Sequence, residues 1–167
     1  MKRIVILIHL LILGISAEAA SKDSLYKVSF EEVDRLQQSE KRLVLVFIKT
    51  SWCGYCKAME QSVFKQPEVI KRLNKNFYTV FFDAESRQKI SFAGHTFSYK
   101  PTGENTGTHE LAAALGAVNG QVSYPALCIL NADNEIIFQH QGFLSKTELI
   151  KILMALNREQ RSSIFTQ

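Results

Sequence analysis

Several things are scarce in this sequence, and each shortage closes a route. Only three of its 167 residues are cysteine, and only Cys53 and Cys56 stand close together. A structural zinc site needs about four ligands and usually draws them from a second such pair, which is missing. His95, His109 and His140 show no ligand spacing with one another, so no metal is expected. The formal charge is +4, too small an excess to suggest nucleic acid. No apolar run reaches the ~20 residues that a membrane-spanning helix requires. No internal repeat or low-complexity segment is present.

What is present begins with the leader "MKRIVILIHLLILGISAEAA". Lys2 and Arg3 make a basic start, residues 4–15 are almost continuously apolar, and Ala17-Glu18-Ala19 is a small-x-small cleavage pattern. This is the layout of a secretory signal peptide, and no cysteine stands at the cleavage point to carry a lipid. Residues 1–19 are therefore read as a signal peptide and residues 20–167 as one domain. The mature chain loses Lys2, Arg3 and Glu18, which takes the formal charge to +3, and its apolar content (46% of the whole sequence) argues against disorder. The expectation is an exported, periplasmic monomer without a stable membrane anchor, with an extracellular location left open.

Along the chain, helical and strand patterns alternate. "SFEEVDRLQQSEKR" opens with Ser29 and Glu32 at capping-box spacing, and Phe30, Val33 and Leu36 recur at helical intervals. "LVLVFI" suits a strand buried on both faces. A helix is expected from the cysteine motif through "CKAMEQSVF", and Pro67 should open the next, with Val69, Ile70 and Leu73 on its inner face. "FYTVFFD", "YPALCILN" and "EIIFQHQG" read as strands, the last two joined by a turn at residues 132–134. "SKTELIKILMAL" ends the pattern with a second capping box, Ser145 and Glu148. Residues 85–108 are irregular. There Ile90, Phe92, Phe97 and Tyr99 alternate around Ala93-Gly94 as in a small hairpin, "PTGENTGT" reads as a polar loop, and Thr108 is placed to cap the helix "HELAAALGA". Together these make a three-layer α/β arrangement with parallel strands first and a hairpin last.

Two cysteines at i and i+3 leave a structural disulfide, a metal site and redox chemistry open. A lone CxxC at a strand-to-helix junction fits redox chemistry better. At a helix start Cys53 would meet unpaired backbone N–H groups and the positive end of the helix dipole, which stabilise a thiolate below the free thiol value of about 8.5. Cys56, one turn on and more buried, would resolve a mixed disulfide, and Trp52 would offer a flat contact surface. Cys128, in "ALCILN", reads as a buried thiol acting as a small hydrophobe.

"LVLVFIKTSWCGYCK" and "SYPALCILNADNEIIFQHQGFLSKTELIKIL" resemble the thioredoxin superfamily over residues 30–84 and 109–156. The resemblance implies a thioredoxin fold: a central mixed sheet with helices on both faces, here with an insertion at about 85–108. It places a cis-proline at Pro125 and the glycine before the last helix at Gly142. The spacing "WCGYCKAMEQSVFKQPEVIKRLNKNF" is similar to the exported bacterial thioredoxin-like proteins, the group that includes the C-terminal domain of DsbD. The dipeptide Gly54-Tyr55 is that of the isomerase DsbC, although nothing here is long enough to be that protein's separate dimerisation domain. Two positions depart from thioredoxin. Phe47 replaces the buried aspartate, so a water, Lys49 or another group must accept the proton of the resolving cysteine, and Gln61 replaces the helix-kinking proline.

In function, the resemblance implies a periplasmic thiol–disulfide oxidoreductase, working as a protein disulfide reductase through Cys53 and Cys56. Trp52, Gly54, Tyr55, Tyr124 and Pro125 would contact the substrate. No cofactor is required. Partners would be protein disulfides and an upstream reductant. Three alternatives stand beside this: a disulfide oxidase, an isomerase, or a partner-binding module on the same scaffold with its contact surface at 85–108.

Overall fold

The computed structural model describes residues 24–164; the leader expected over residues 1–19 lies outside them. Helix α1 (Phe30–Gln37) opens with the capping box: Ser29 Oγ accepts the Glu32 N–H, and the Glu32 carboxylate accepts the Ser29 N–H at 2.8 Å. Strand β1 (Leu43–Lys49) follows, and its apolar run is buried without a break from Leu43 to Ile48. Next come α2 (Gly54–Ala58), a π-helical turn (Met59–Val63) and α3 (Pro67–Asn76), then β2 (Phe77–Asp83). The insertion holds four short strands, β3 (Ile90–Phe92), β4 (His95–Phe97), β5 (Tyr99–Pro101) and β6 (Gly107–His109). Beyond it, α4 (Glu110–Gly116) leads to β7 (Ala126–Leu130), β8 (Ile136–Gln141) and α5 (Lys146–Ile164).

The main sheet has the order β2-β1-β7-β8, with β1 and β2 parallel and the other pairings antiparallel. Alternate residues of β1 feed two cores. Val44, Val46 and Ile48 meet Phe30 and Val33 of α1 and Leu111 and Leu115 of α4 on one face. Leu43, Leu45 and Phe47 meet Met59, Val63, Leu73 and Leu153 on the other, where α2, α3 and α5 pack. This period-2 division, with both faces apolar, is what a continuous β-branched run implies. The closing helix carries the second capping box: Ser145 Oγ accepts the Glu148 N–H, and the Glu148 carboxylate accepts the Ser145 N–H at 2.8 Å.

The 85–108 insertion is built differently from the single expected hairpin. β3 pairs with β4 across Ala93-Gly94, but Tyr99 belongs to a second hairpin, β5 with β6. The expected polar loop therefore shrinks to residues 102–106. The cap of α4 is His109, not Thr108: Thr108 is held in β6, and His109 Nδ1 accepts the Leu111 N–H at 3.2 Å. Since Nδ1 is the acceptor, Nε2 carries the ring proton and donates it to the Gln88 carbonyl at 3.0 Å. The His109 N–H also donates to the Ala84 carbonyl at 2.7 Å, so the excursion leaves and rejoins the domain at one point.

Cys128 lies in β7 opposite Val46 and is fully buried, as expected of a core thiol. Burial pushes its pKa from 9.0 up to about 12. The folded-state value is raised, so the stabilising contribution of the protonated thiol is whole below pH 9 and is lost as pH rises toward 12. Cys128 should resist iodoacetamide at pH 8 until the chain is unfolded. Cys128→Ala should cost about 1 kcal/mol by denaturant titration and flatten the loss of stability between pH 9 and 12. Rapid alkylation of the native protein at this thiol would contradict the buried placement.

Candidate active site

The active-site turn is a direct continuation of β1. Thr50 is buried, and its carbonyl accepts the Cys53 N–H at 3.4 Å. Cys53 keeps an extended backbone (φ −71°, ψ 107°) and serves as N-cap of α2, so the helix starts one residue after it. Its Sγ accepts the Cys56 N–H at 3.1 Å, which satisfies one of the amides left free at a helix start. The two cysteines form a disulfide with their Cα atoms 5.3 Å apart. Both cysteines are buried, Cys53 at 5% exposure and Cys56 at none. Gly54 and Tyr55 between them face solvent; a Cβ at Gly54 would meet nothing within 4 Å, so steric room does not demand glycine there.

Beyond Ala58 the helix widens. The Phe64 N–H donates to the Met59 carbonyl at 3.0 Å, five residues back, while the Ser62 hydroxyl donates to the Ala58 carbonyl at 2.6 Å. Hydroxyl back-bonding of this kind competes with the helical ladder, and π turns are one of the recognised causes of a helix bend. Gln61, standing where the resemblance puts a kinking proline, lies inside this turn.

Aromatic side chains flank the dithiol on two sides. Trp52 is 65% exposed; its indole N–H donates to Glu85 Oε1 at 3.0 Å, and its ring meets Tyr124 edge-on at 5.9 Å. Tyr124 packs against the core cluster that contains both cysteines. Burial raises the pKa of its phenol, against the Thr108 hydroxyl nearby, which lowers it. The Tyr124–Pro125 peptide bond is cis, and Pro125 is buried with its carbonyl accepting the Gly142 N–H at 2.8 Å. Gly142 has φ +101°, a backbone that L side chains rarely adopt. On the other side the Tyr55 ring lies 6.5 Å from that of Phe143, and both are exposed. Phe143 and Glu85 were not singled out in the sequence. Their only signals are positional: one follows the turn glycine, the other the end of β2.

Phe47 is fully buried on the cysteine-bearing face, its ring 4.8 Å from Phe64 and 5.0 Å from Phe81. Two residues on, Lys49 shares that face of β1, and its Nζ pairs with Glu60 Oε1 at 2.7 Å. Each partner keeps just over a quarter of its side-chain surface exposed, so the pair sits at the rim. Among the described residues no group of three or more His, Cys, Asp or Glu could hold a metal ion. No helix among them is long and apolar enough to cross a membrane.

Comparison with known proteins agrees with this geometry. An uncharacterized protein of Archaeoglobus fulgidus is 28% identical over 80 residues, which is 48% of this chain and 61% of that protein, so this chain spans about three fifths of its relative's length. The solution structure of a proposed disulphide isomerase from Bacteroides thetaiotaomicron superimposes with a TM-score of 0.55 and 25% identity, over 82% of this chain and 97% of that one. The oxidoreductase DsbH shares the fold at 17% identity, with a TM-score of 0.56 over 80% of this chain and 85% of that one. The family profile described as Thioredoxin-like domain matches residues 30–157, from the first residue of α1 into α5. On that match, which covers most of the sequence, the chain belongs to the thioredoxin-like family.

Proposed function

We propose that the protein is an exported, periplasmic reductase of protein disulfides, with Cys53 as nucleophile and Cys56 as resolving thiol. The observation that carries this reading is the unequal burial of the two cysteines at a helix start whose Cys56 N–H points at the Cys53 sulfur. Once the pair is reduced, that N–H and the helix dipole favour negative charge on Cys53. The Cys53 thiolate attacks one sulfur of a client disulfide, forming a mixed disulfide and releasing the other client sulfur as a thiolate. Cys56, deprotonated, then attacks the Cys53 sulfur. The Cys53–Cys56 disulfide forms, the client leaves with both sulfurs reduced, and a dithiol reductant must return two electrons to the pair. No cofactor enters either step.

The client would lie between the Trp52–Tyr124 and Tyr55–Phe143 pairs, with Gly54 offering no side chain in its way. The backbone before Pro125 would pair with an extended client strand, as in other β-augmentation contacts. The leader of residues 1–19 supports export, and the domain proposed for the mature chain is residues 20–167. An exposed aromatic flank suits a protein client better than a small disulfide, since Trp and Tyr rings offer a protein partner a large apolar contact with a polar edge.

Cys53→Ser should abolish reduction of insulin by dithiothreitol-regenerated protein, a loss of at least about 100-fold. Cys56→Ser should instead accumulate covalent mixed disulfides with clients, visible on a non-reducing gel. Trapping by Cys53→Ser and not by Cys56→Ser would reverse the two roles.

The direction of electron flow is read from the potential of the Cys53–Cys56 couple. Equilibration with glutathione or dithiothreitol should give a value near the roughly −270 mV of thioredoxin. A value near −120 mV would make the protein an oxidase and overturn the reductase reading.

A further inference from the structure

A groove of about 680 Å³, lined by none of the four aromatic residues beside the dithiol, runs between α2 with its π turn, β2 and the segment around Lys27. Its apolar wall is made by Phe64, Phe81 and Ile70, and three lysines reach it from different elements: Lys27, Lys57 and Lys65. The one acid in its lining, Glu60, is already engaged by Lys49 from the strand beneath. No ion pair to Lys27, Lys57 or Lys65 is found among the described residues, and Lys27 Nζ instead sits 4.8 Å over the Phe81 ring. Three lysines without an ion pair, beside one acid that has one, thus border a concave wall in which Phe81 is half-buried under Lys27 and Phe64 and Ile70 are buried.

We propose that this groove docks an acidic segment bearing an aromatic side chain, carried by the protein that exchanges electrons with the dithiol. Anionic side chains would pair with the three lysines, and an aromatic ring would pack at the half-buried Phe81. Lys57 directly follows Cys56 in α2, so a segment held there is tethered within a helical turn of the resolving cysteine. Charge at such a rim acts first on the rate of encounter, which falls as salt screens it. The identity of the partner as a redox protein rests on the function proposed above; the groove's preference for acid does not.

The test uses the full mature chain and two fluorescein-labelled, end-capped pentapeptides, DEFED and KKFKK, followed by fluorescence anisotropy. DEFED should bind and KKFKK should not, and raising salt from about 20 to 200 mM should weaken DEFED roughly tenfold as the Debye length shrinks. Lys57→Glu with Lys65→Glu should weaken DEFED by a further factor of about ten. The same reversal at Lys146 and Lys151 on α5 should leave it unchanged. Equal binding of the two peptides, no binding of DEFED at low salt, or equal weakening by the two double variants would overturn the proposal. If insulin reduction fails while DEFED binding follows this pattern, the reductase reading falls and the acidic-docking groove stands.

Discussion

Everything in this molecule hangs on one strand that can face water on neither side. Residues 43–48 alternate between two apolar cores, and a register slip of one residue would exchange Val44, Val46 and Ile48 for Leu43, Leu45 and Phe47. Either set is apolar, so the hydrophobic pattern of β1 alone does not choose the register. The shapes of its neighbours do: Gly116 of α4 lies so close that a Cβ there would stand 2.9 Å from Ile48 Cδ1, while Phe47 fits among Phe64 and Phe81. With β1 fixed between β2 and β7, the chain must emerge at one end of the sheet. There the buried Thr50 turns it into the Cys53 cap, so the position of the dithiol is a consequence of core packing, not of the motif alone.

The parts legible in the sequence are those governed by local rules. Both capping boxes, the start of α3 at Pro67 and the doubly buried β1 are each written in a few adjacent residues, and each is found as expected. The CxxC pair stands out by its spacing alone, whereas the cis-proline at Pro125 came from the family resemblance. What was not legible depends on contacts distant in sequence. Tyr99 looked like the fourth member of one alternating hairpin, yet its partner is His109, ten residues on. His109 rather than Thr108 caps α4 because a ring buried against Phe82 and bonded to Gln88 is already held in place beside the Leu111 amide. The π turn has no residue signature of its own; a serine hydroxyl bonded to the Ala58 carbonyl accompanies it.

Beneath the dithiol the electrostatics differ from those implied by the resemblance. A carboxylate under the resolving cysteine would carry a desolvation cost that Phe47 avoids, since its ring packs among other aromatics. The charges lie further out, where Lys49 and Glu60 remain partly solvated and their pairing is screened. In the proposed reaction a proton leaving Cys56 would find these charged groups at the rim and an aromatic core at Phe47. That would separate two tasks: the attacking thiolate would be stabilised by backbone N–H groups at the helix start, and the second proton would be taken up by groups near solvent.

The inserted segment shows how a domain can carry added chain without loosening its site. Because the His109 N–H closes on the Ala84 carbonyl, the ends of the excursion are fixed together, and the entropic cost of the chain between them grows only slowly with its length. The excursion is also pinned along its course. Phe92 is buried with its ring 5.0 Å from Phe30, the Ala93 N–H donates to the Asp34 carboxylate at 3.1 Å, and Glu110 holds both the Ser98 N–H and Lys100. The first residue past the closure, Glu85, is the one that takes the Trp52 indole N–H. An exposed tryptophan would ordinarily sample several rotamers at little cost; here a carboxylate on a closed loop and the edge of Tyr124 restrict it, so the flat surface beside Cys53 is held in one orientation.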